Sequence, residues 1–347
     1  MKVLLTGLGS VGQRHARNLR ALLGNEVELL AHRTRGGGLV PPADGPATPE
    51  AELGIRRVAS LDAGLAERPD AVFVTNPTAL HLPVARAAVE AGCHVFIEKP
   101  LTDAWEGVED FLAAVERKGV VTAVGYQLRF HPGLTRLREL LDAKAIGRPL
   151  AARLEFGEYL PGWHPWEDYR ESYAARRDLG GGVLLTQIHD IDYACWLFGL
   201  PARVSAVGGH LTDLDVDVED LVCATLACGR DGRLFPVELR LDYVQRPPVR
   251  RCAVLGDNGR VVLDLTAGTL ACTDVSGRVT TVDVGTPRNQ LFVDEVRHFL
   301  DCVAGRARPV VDARAGAESL RVALAARASM RRGAPVELSE TIVACER

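Results

Sequence analysis

Glu98-Lys99-Pro100 follows the apolar run His94-Val95-Phe96-Ile97, so a lysine stands at the end of what reads as a buried strand. A lysine held at such a strand end can donate a hydrogen bond to a ligand oxygen and stabilise negative charge that develops on it. Thr75-Asn76-Pro77-Thr78-Ala79-Leu80-His81 follows a second such run, Ala71-Val72-Phe73-Val74. Open α/β sheets bind ligands at these carboxyl ends of their strands. A third segment, Gly7-Leu8-Gly9-Ser10-Val11-Gly12, spells GxGxxG after a short strand and before a helix. The motif alone is weak, but that context makes it a pyridine-dinucleotide turn. Gly7 permits the tight bend, Gly9 lets backbone approach the pyrophosphate, and Gly12 lets helix and sheet pack closely. Free N–H groups at the helix start, around Ser10 and Val11, then meet the anion.

The second strand ends in Ala31-His32-Arg33-Thr34-Arg35, where an NAD site commonly carries an Asp or Glu for the ribose 2′-hydroxyl. No carboxylate stands there. Arg33, with Arg35, Thr34 and His32, could instead meet a 2′-phosphate, which a planar guanidinium suits. NADP(H) is therefore the expected cofactor. NAD(H) stays open, because the acidic residue is a tendency of such folds and not a requirement.

The elements that must position these residues alternate β-rich and helical stretches through the first third: strands near 3–5, 27–31, 71–74, 94–97 and 120–124, with helices over 11–23, 80–90 and 104–118. Repeated βαβ units predict a doubly wound parallel sheet with helices on both faces. Beyond about Gly125 the pattern changes to two-periodic strands, clearest in Val237-Glu238-Leu239-Arg240-Leu241-Asp242-Tyr243. Similar runs at 151–156, 204–208, 221–227, 251–255 and 261–265 predict an α+β domain on an open, mostly antiparallel sheet. The expected division is a Rossmann domain over 1–125 and a substrate-binding and oligomerisation domain over 126–347, with helices at 291–303 and 317–330 packed on the second body.

At 347 residues the chain has room for two cores. With 41 basic and 45 acidic residues and no basic stripe, nucleic acid is not an expected partner. No apolar stretch approaches a membrane span and the amino terminus lacks a signal-like core, so a soluble cytoplasmic chain is expected. The eight cysteines form no CxxC pair, which predicts reduced structural thiols and no metal.

Taken together, these motifs resemble the Gfo/Idh/MocA oxidoreductases over essentially the whole chain. The resemblance rests on the glycine turn, Asn76-Pro77 followed by His81, Glu98-Lys99-Pro100, Arg129-Phe130-His131-Pro132, and Gly180-Gly181-Gly182 leading to His189-Asp190-Ile191-Asp192 and Trp196-Leu197-Phe198-Gly199. It implies reversible oxidation of a secondary hydroxyl on a sugar, amino sugar or cyclitol, with Lys99 as the catalytic lysine and His189 as the acid/base. Histidine suits that task because its ordinary pKa lies near neutrality. Thr75, Asn76, Pro77, His81, Glu98 and Gln127 are expected to help hold the cofactor. Many members carry an aspartate four residues before the histidine, where this chain has Leu185. Either Thr186 takes that place or the role is vacant, and Asp192 could orient the imidazole or serve packing. Residues 157–170 hold two of the four tryptophans and read as a substrate loop, with Trp163, Trp166 and Tyr169 facing a sugar and Arg129 nearby as a further contact. Two other functions stay open: a redox-neutral glycoside hydrolase that uses NAD transiently, and a non-catalytic dinucleotide sensor. A dimer or tetramer is the expected assembly.

Overall fold

The computed structural model describes residues 1–33, 48–230 and 233–340, which form two compact units. The first comprises residues 1–102, 106–126 and 292–316. Its strands are β1 (Lys2–Leu5), β2 (Glu28–Ala31), β3 (Ile55–Arg57), β4 (Ala71–Val74), β5 (His94–Glu98) and β6 (Thr122–Gly125). All are parallel, in the order β3-β2-β1-β4-β5-β6. The order reverses between β1 and β4, which makes the carboxyl ends of those two strands the topological switch point of a doubly wound sheet. Every residue of β4 is buried, as expected of a strand covered on both faces.

The helices Ser10–Leu23, His81–Glu90 and Val108–Lys118 belong to this unit. So does most of the helix Arg288–Val303, which sequence patterning had assigned to the second body. Val296 and Phe299 are fully buried in the core formed by Val3, Leu5, Phe73 and Phe96, with the Phe299 ring edge-on to Phe73 at 5.5 Å. Periodicity reveals that a helix has an apolar face, not which sheet that face covers. Beyond the helix, the carbonyl of Val311 accepts from the Val124 amide, so the returning chain covers the exposed edge of β6.

The second unit, residues 103–105, 127–291 and 317–347 by its boundaries, is built on nine strands. These are β7 (Pro149–Gly157), β8 (Arg203–Gly209), β9 (Leu221–Arg230), β10 (Arg233–Asp242), β11 (Val249–Gly256), β12 (Gly259–Asp264), β13 (Thr269–Thr273), β14 (Val279–Asp283) and β15 (Val336–Glu337). Their order is β14-β13-β12-β11-β7-β10-β9-β8-β15, antiparallel except for the β7/β10 pair. Alternation in β10 buries Val237, Leu239 and Leu241 on one face, where the helix His189–Phe198 packs on β7, β9 and β10. On the other face Glu238 pairs with Arg153 at 2.7 Å and Arg240 with Glu155, cross-strand ladders that satisfy an open surface. Strands β13 to β15 are short, and sequence patterning had not assigned them.

Candidate active site

The glycine turn leads from β1 into the helix Ser10–Leu23, and its three glycines are not equivalent. A Cβ on Gly7 would lie 2.7 Å from the Thr75 carbonyl oxygen, and one on Gly12 only 2.1 Å from the Gly7 carbonyl oxygen. Both are therefore closed to side chains by backbone. A Cβ on Gly9 would meet nothing within 4 Å. Gly9 and Ser10 are exposed, the helix start has no side-chain cap, and its first turn carries no acid. First-turn amides lack intrahelical acceptors, so those of Ser10 and Val11 are placed for an anion. Open space above Gly9 and an uncapped helix start fit a dinucleotide pyrophosphate. Thr75 is buried beneath the turn, and its hydroxyl donates to the Gly7 carbonyl at 2.8 Å, which fixes the bend.

The carboxyl ends of β4 and β5 bring the next group together. His81 is buried, with Nδ1 2.8 Å from the Pro100 carbonyl and Nε2 2.8 Å from that of Asn76. It thus ties the segment after β4 to the segment after β5. Burial lowers the His81 pKa, and the two carbonyls offset this only in part. Asn76 donates to the Leu80 carbonyl at 3.2 Å, while its Oδ1 has no partner among the described residues. Pro77 caps the short turn Thr78–Leu80. Lys99 is half-buried and precedes a cis peptide bond to Pro100.

Glu98, expected to help hold the cofactor, points into the unit. Its Oε1 lies 2.6 Å from Nε2 of fully buried His15, and Oε2 accepts from the Lys99 amide at 3.3 Å. Burial raises the Glu98 carboxyl, but the bond and charge of His15, with Lys99 and His81, outweigh it and hold the pKa below its ordinary value. The His15 ring is itself packed against Phe73 and Phe96. Glu98 therefore anchors the backbone that presents Lys99. His15 was missed in the sequence, although its place within one helical turn of Gly12, in a motif aimed at the same strand ends, is a usable signal.

After β2, the Arg33 guanidinium meets Glu50 at 2.9 Å, in a pair where both side chains are largely buried. Arg33 was expected to meet a 2′-phosphate. It is instead held by a carboxylate from the helix Pro49–Leu53. His32 is half-buried beside it. Thr34 and Arg35, assigned to the same role, lie outside the described residues.

In the second unit Gly180-Gly181-Gly182 lead into the short helix Val183–Thr186 and then into His189–Phe198. Gly182 has φ +101°, and a Cβ there would lie 2.4 Å from the Glu219 carboxylate, which pairs with Arg327 at 2.9 Å. His189 opens its helix in a buried setting. The acids beside it are anchors. Asp190 accepts from the Tyr193 hydroxyl and pairs with Arg250 at 2.7 Å. Asp192 pairs with Arg129 at 2.6 Å and accepts from Ser319 at 3.1 Å.

Two residues expected to serve the site have structural partners here. Asp192, open between orienting the imidazole and packing, is held by Arg129 and Ser319. Arg129, expected as a substrate contact, is half-buried and engaged in that pair, with its guanidinium 4.9 Å from the Trp196 ring. It lies in the turn Gln127–Phe130, so Gln127 belongs to the second unit by chain position. His131 caps the following helix through Nδ1, which accepts from the Gly133 amide at 3.0 Å.

Thr186 is buried, donates to the Gly182 carbonyl at 2.9 Å and shares a hydrogen bond with the Tyr243 hydroxyl. Trp163 stands edge-on to Tyr243 at 5.6 Å. Leu160, Trp163, His164, Glu167, Tyr169 and Ser172 line a narrow cleft. Tyr169 accepts from the Asp215 amide at 3.1 Å, whereas Trp166 is 68% exposed. The structure thus groups Trp163 with Thr186 through Tyr243 and leaves Trp166 outside that cluster.

A dinucleotide-binding oxidoreductase is the class that the switch-point turn and parallel sheet define. The model of the oxidoreductase family GFO/IDH/MocA with NAD-binding Rossmann fold matches residues 1–126, and that of the GFO/IDH/MocA C-terminal domain matches 134–262. The chain belongs to this family. It is 29% identical to scyllo-inositol 2-dehydrogenase (NAD(+)) of Bacillus subtilis, over 97% of this chain and 96% of that one. It is 28% identical to UDP-N-acetylglucosamine 3-dehydrogenase of Acidithiobacillus ferrooxidans, over 95% and 97% respectively. A solved structure of the latter enzyme superposes with a TM-score of 0.75 at 26% identity, covering 96% of this chain and 98% of that one. No helix among the described residues is long and apolar enough to cross a membrane.

Proposed function

We propose that this chain transfers a hydride between a nicotinamide cofactor and a secondary hydroxyl or ketone of a sugar, amino sugar or cyclitol. The observation that carries the proposal is Lys99, held by buried Glu98 at the carboxyl end of β5 in the same sheet as the glycine turn. The full-length relatives named above, an inositol and an amino-sugar nucleotide dehydrogenase, support the substrate class. When bound, the nicotinamide supplies the hydride acceptor or donor. In the oxidative direction His189 takes the hydroxyl proton as the carbon–oxygen double bond forms. Lys99 donates a hydrogen bond to a substrate oxygen and stabilises charge that develops on it.

The residues favour NAD(H) over the NADP(H) expected from Arg33, because the Arg33 guanidinium already has a carboxylate partner. Self-association belongs to the same reading: Val207, Leu234 and Leu255 are exposed apolar residues on the open sheet. Light scattering of the purified chain measures it.

Lys99→Ala and His189→Ala, made separately, test the catalytic roles. A panel of inositols, sugars and UDP-amino sugars is followed by nicotinamide absorbance. Each substitution is expected to lower kcat by about a hundredfold or more, the usual worth of positioned proton transfer. Turnover near the wild-type rate in both variants overturns the assignment.

A further inference from the structure

The carboxylate absent from the end of β2 returns from a distant part of the chain. Glu50 stands 17 residues beyond Arg33, in the first turn of the helix that precedes β3. Only 8% of Glu50 is exposed. Oε1 accepts from Arg33 at 2.9 Å, while Oε2 is buried and has no hydrogen-bond partner among the described residues. A buried carboxylate oxygen without a donor is costly unless a ligand supplies one. Burial raises the Glu50 carboxyl, but the bond from Arg33, a bond from the Glu50 backbone amide, and the charges of Arg33 and Arg57 hold the pKa below its ordinary value, so the group is an anion at neutral pH.

In this fold the end of β2 is where the adenosine ribose is read. We infer that Glu50, locked by Arg33, is the residue that selects NAD(H) against NADP(H) in this chain. Oε2 accepts the ribose 2′-hydroxyl. Arg33, which would otherwise attract a 2′-phosphate, is neutralised, and a phosphate dianion would face the Glu50 carboxylate at close quarters. A pair thus does the work that a single acid after β2 does elsewhere. This rests on the dinucleotide reading above but not on the substrate or on Lys99 and His189.

The test is equilibrium binding without substrate, by titration calorimetry with NAD+, NADP+, 5′-AMP and 2′,5′-ADP. Wild-type protein is expected to bind NAD+ at least about tenfold tighter than NADP+, the worth of one charge-assisted hydrogen bond. Tighter NADP+ overturns the inference. Glu50→Gln removes the anion and releases the guanidinium, so the NAD+/NADP+ preference should fall by about tenfold or more, with 5′-AMP and 2′,5′-ADP shifting in parallel. An unchanged preference in a folded variant overturns it. Should Glu50→Gln not fold, Arg33→Ala decides: NADP+ binding should not weaken by more than about threefold. A larger loss shows that Arg33 itself reads a phosphate, which also overturns the inference. Absence of turnover on every sugar with NAD+ binding intact would count against the proposed substrate class and leave this inference standing.

Discussion

Acidification should weaken the fold through His131. Its ring is buried, and Nδ1 must stay unprotonated to accept the Gly133 amide at the start of the helix Pro132–Asp142. Burial, and then the charge of Arg250, lower its pKa from 6.5 to about 4. Because the folded value lies below the unfolded one, the unfolded chain binds the proton first as pH falls. Stability is therefore complete above about pH 6.5 and is lost as pH drops toward 4. A gap of about 2.5 units at 1.36 kcal/mol each comes to about 3 kcal/mol by pH 4, of which about 2 kcal/mol is lost by pH 5. Urea unfolding followed by tryptophan fluorescence suits the measurement, since all four tryptophans fall in the unit that contains His131. His131→Asn keeps a capping side chain without the titration. Its stability should fall between pH 7 and pH 5 by about 2 kcal/mol less than that of wild type. His81 and His94 also have lowered pKa values, but both variants retain them, so they cancel in the difference. Parallel curves for the two proteins would refute the argument.

Arg129→Ala leaves Asp192 buried without its cation and should cost about 3–5 kcal/mol, read as a fall in unfolding midpoint. A substrate contact would instead raise KM at unchanged stability. Gly12→Ala forces a Cβ against the Gly7 carbonyl and should abolish NAD+ binding in calorimetry together with a loss of thermal stability. Gly9→Ala has free space and should leave the melting temperature unchanged while weakening NAD+ binding, because the added methyl occupies the open side of the turn.

How much of this was legible depended on whether the signal was local. The glycine turn, the strands of the parallel sheet and the alternation in β10 are short-range patterns, and each predicted element is present near its expected place. Partners are a different kind of fact. Nothing near Arg33 announces Glu50, and nothing near Asp192 announces Arg129, 63 residues earlier. The same limit explains the helix Arg288–Val303: Phe299 reads as an apolar face, while its choice of Phe73 and Phe96 is made by the tertiary fold.

That distinction bears on how polar residues near a reactive helix should be interpreted. His189 opens a helix whose two nearest acids, Asp190 and Asp192, bind the guanidiniums of Arg250 and Arg129. If His189 is the acid/base proposed above, its helix must not drift, because hydride and proton transfer both depend on close placement of the reacting atoms. Buried ion pairs supply that rigidity at modest net stability, since desolvation offsets much of their attraction. Of the polar residues grouped around His189 in sequence, those two acids therefore act as its mounting, and Thr186 is tied to Tyr243 and the Gly182 carbonyl beside them. Under the proposed function, proton transfer is the role of His189 and a hydrogen bond to a substrate oxygen that of Lys99, whose own mounting is Glu98 with His15.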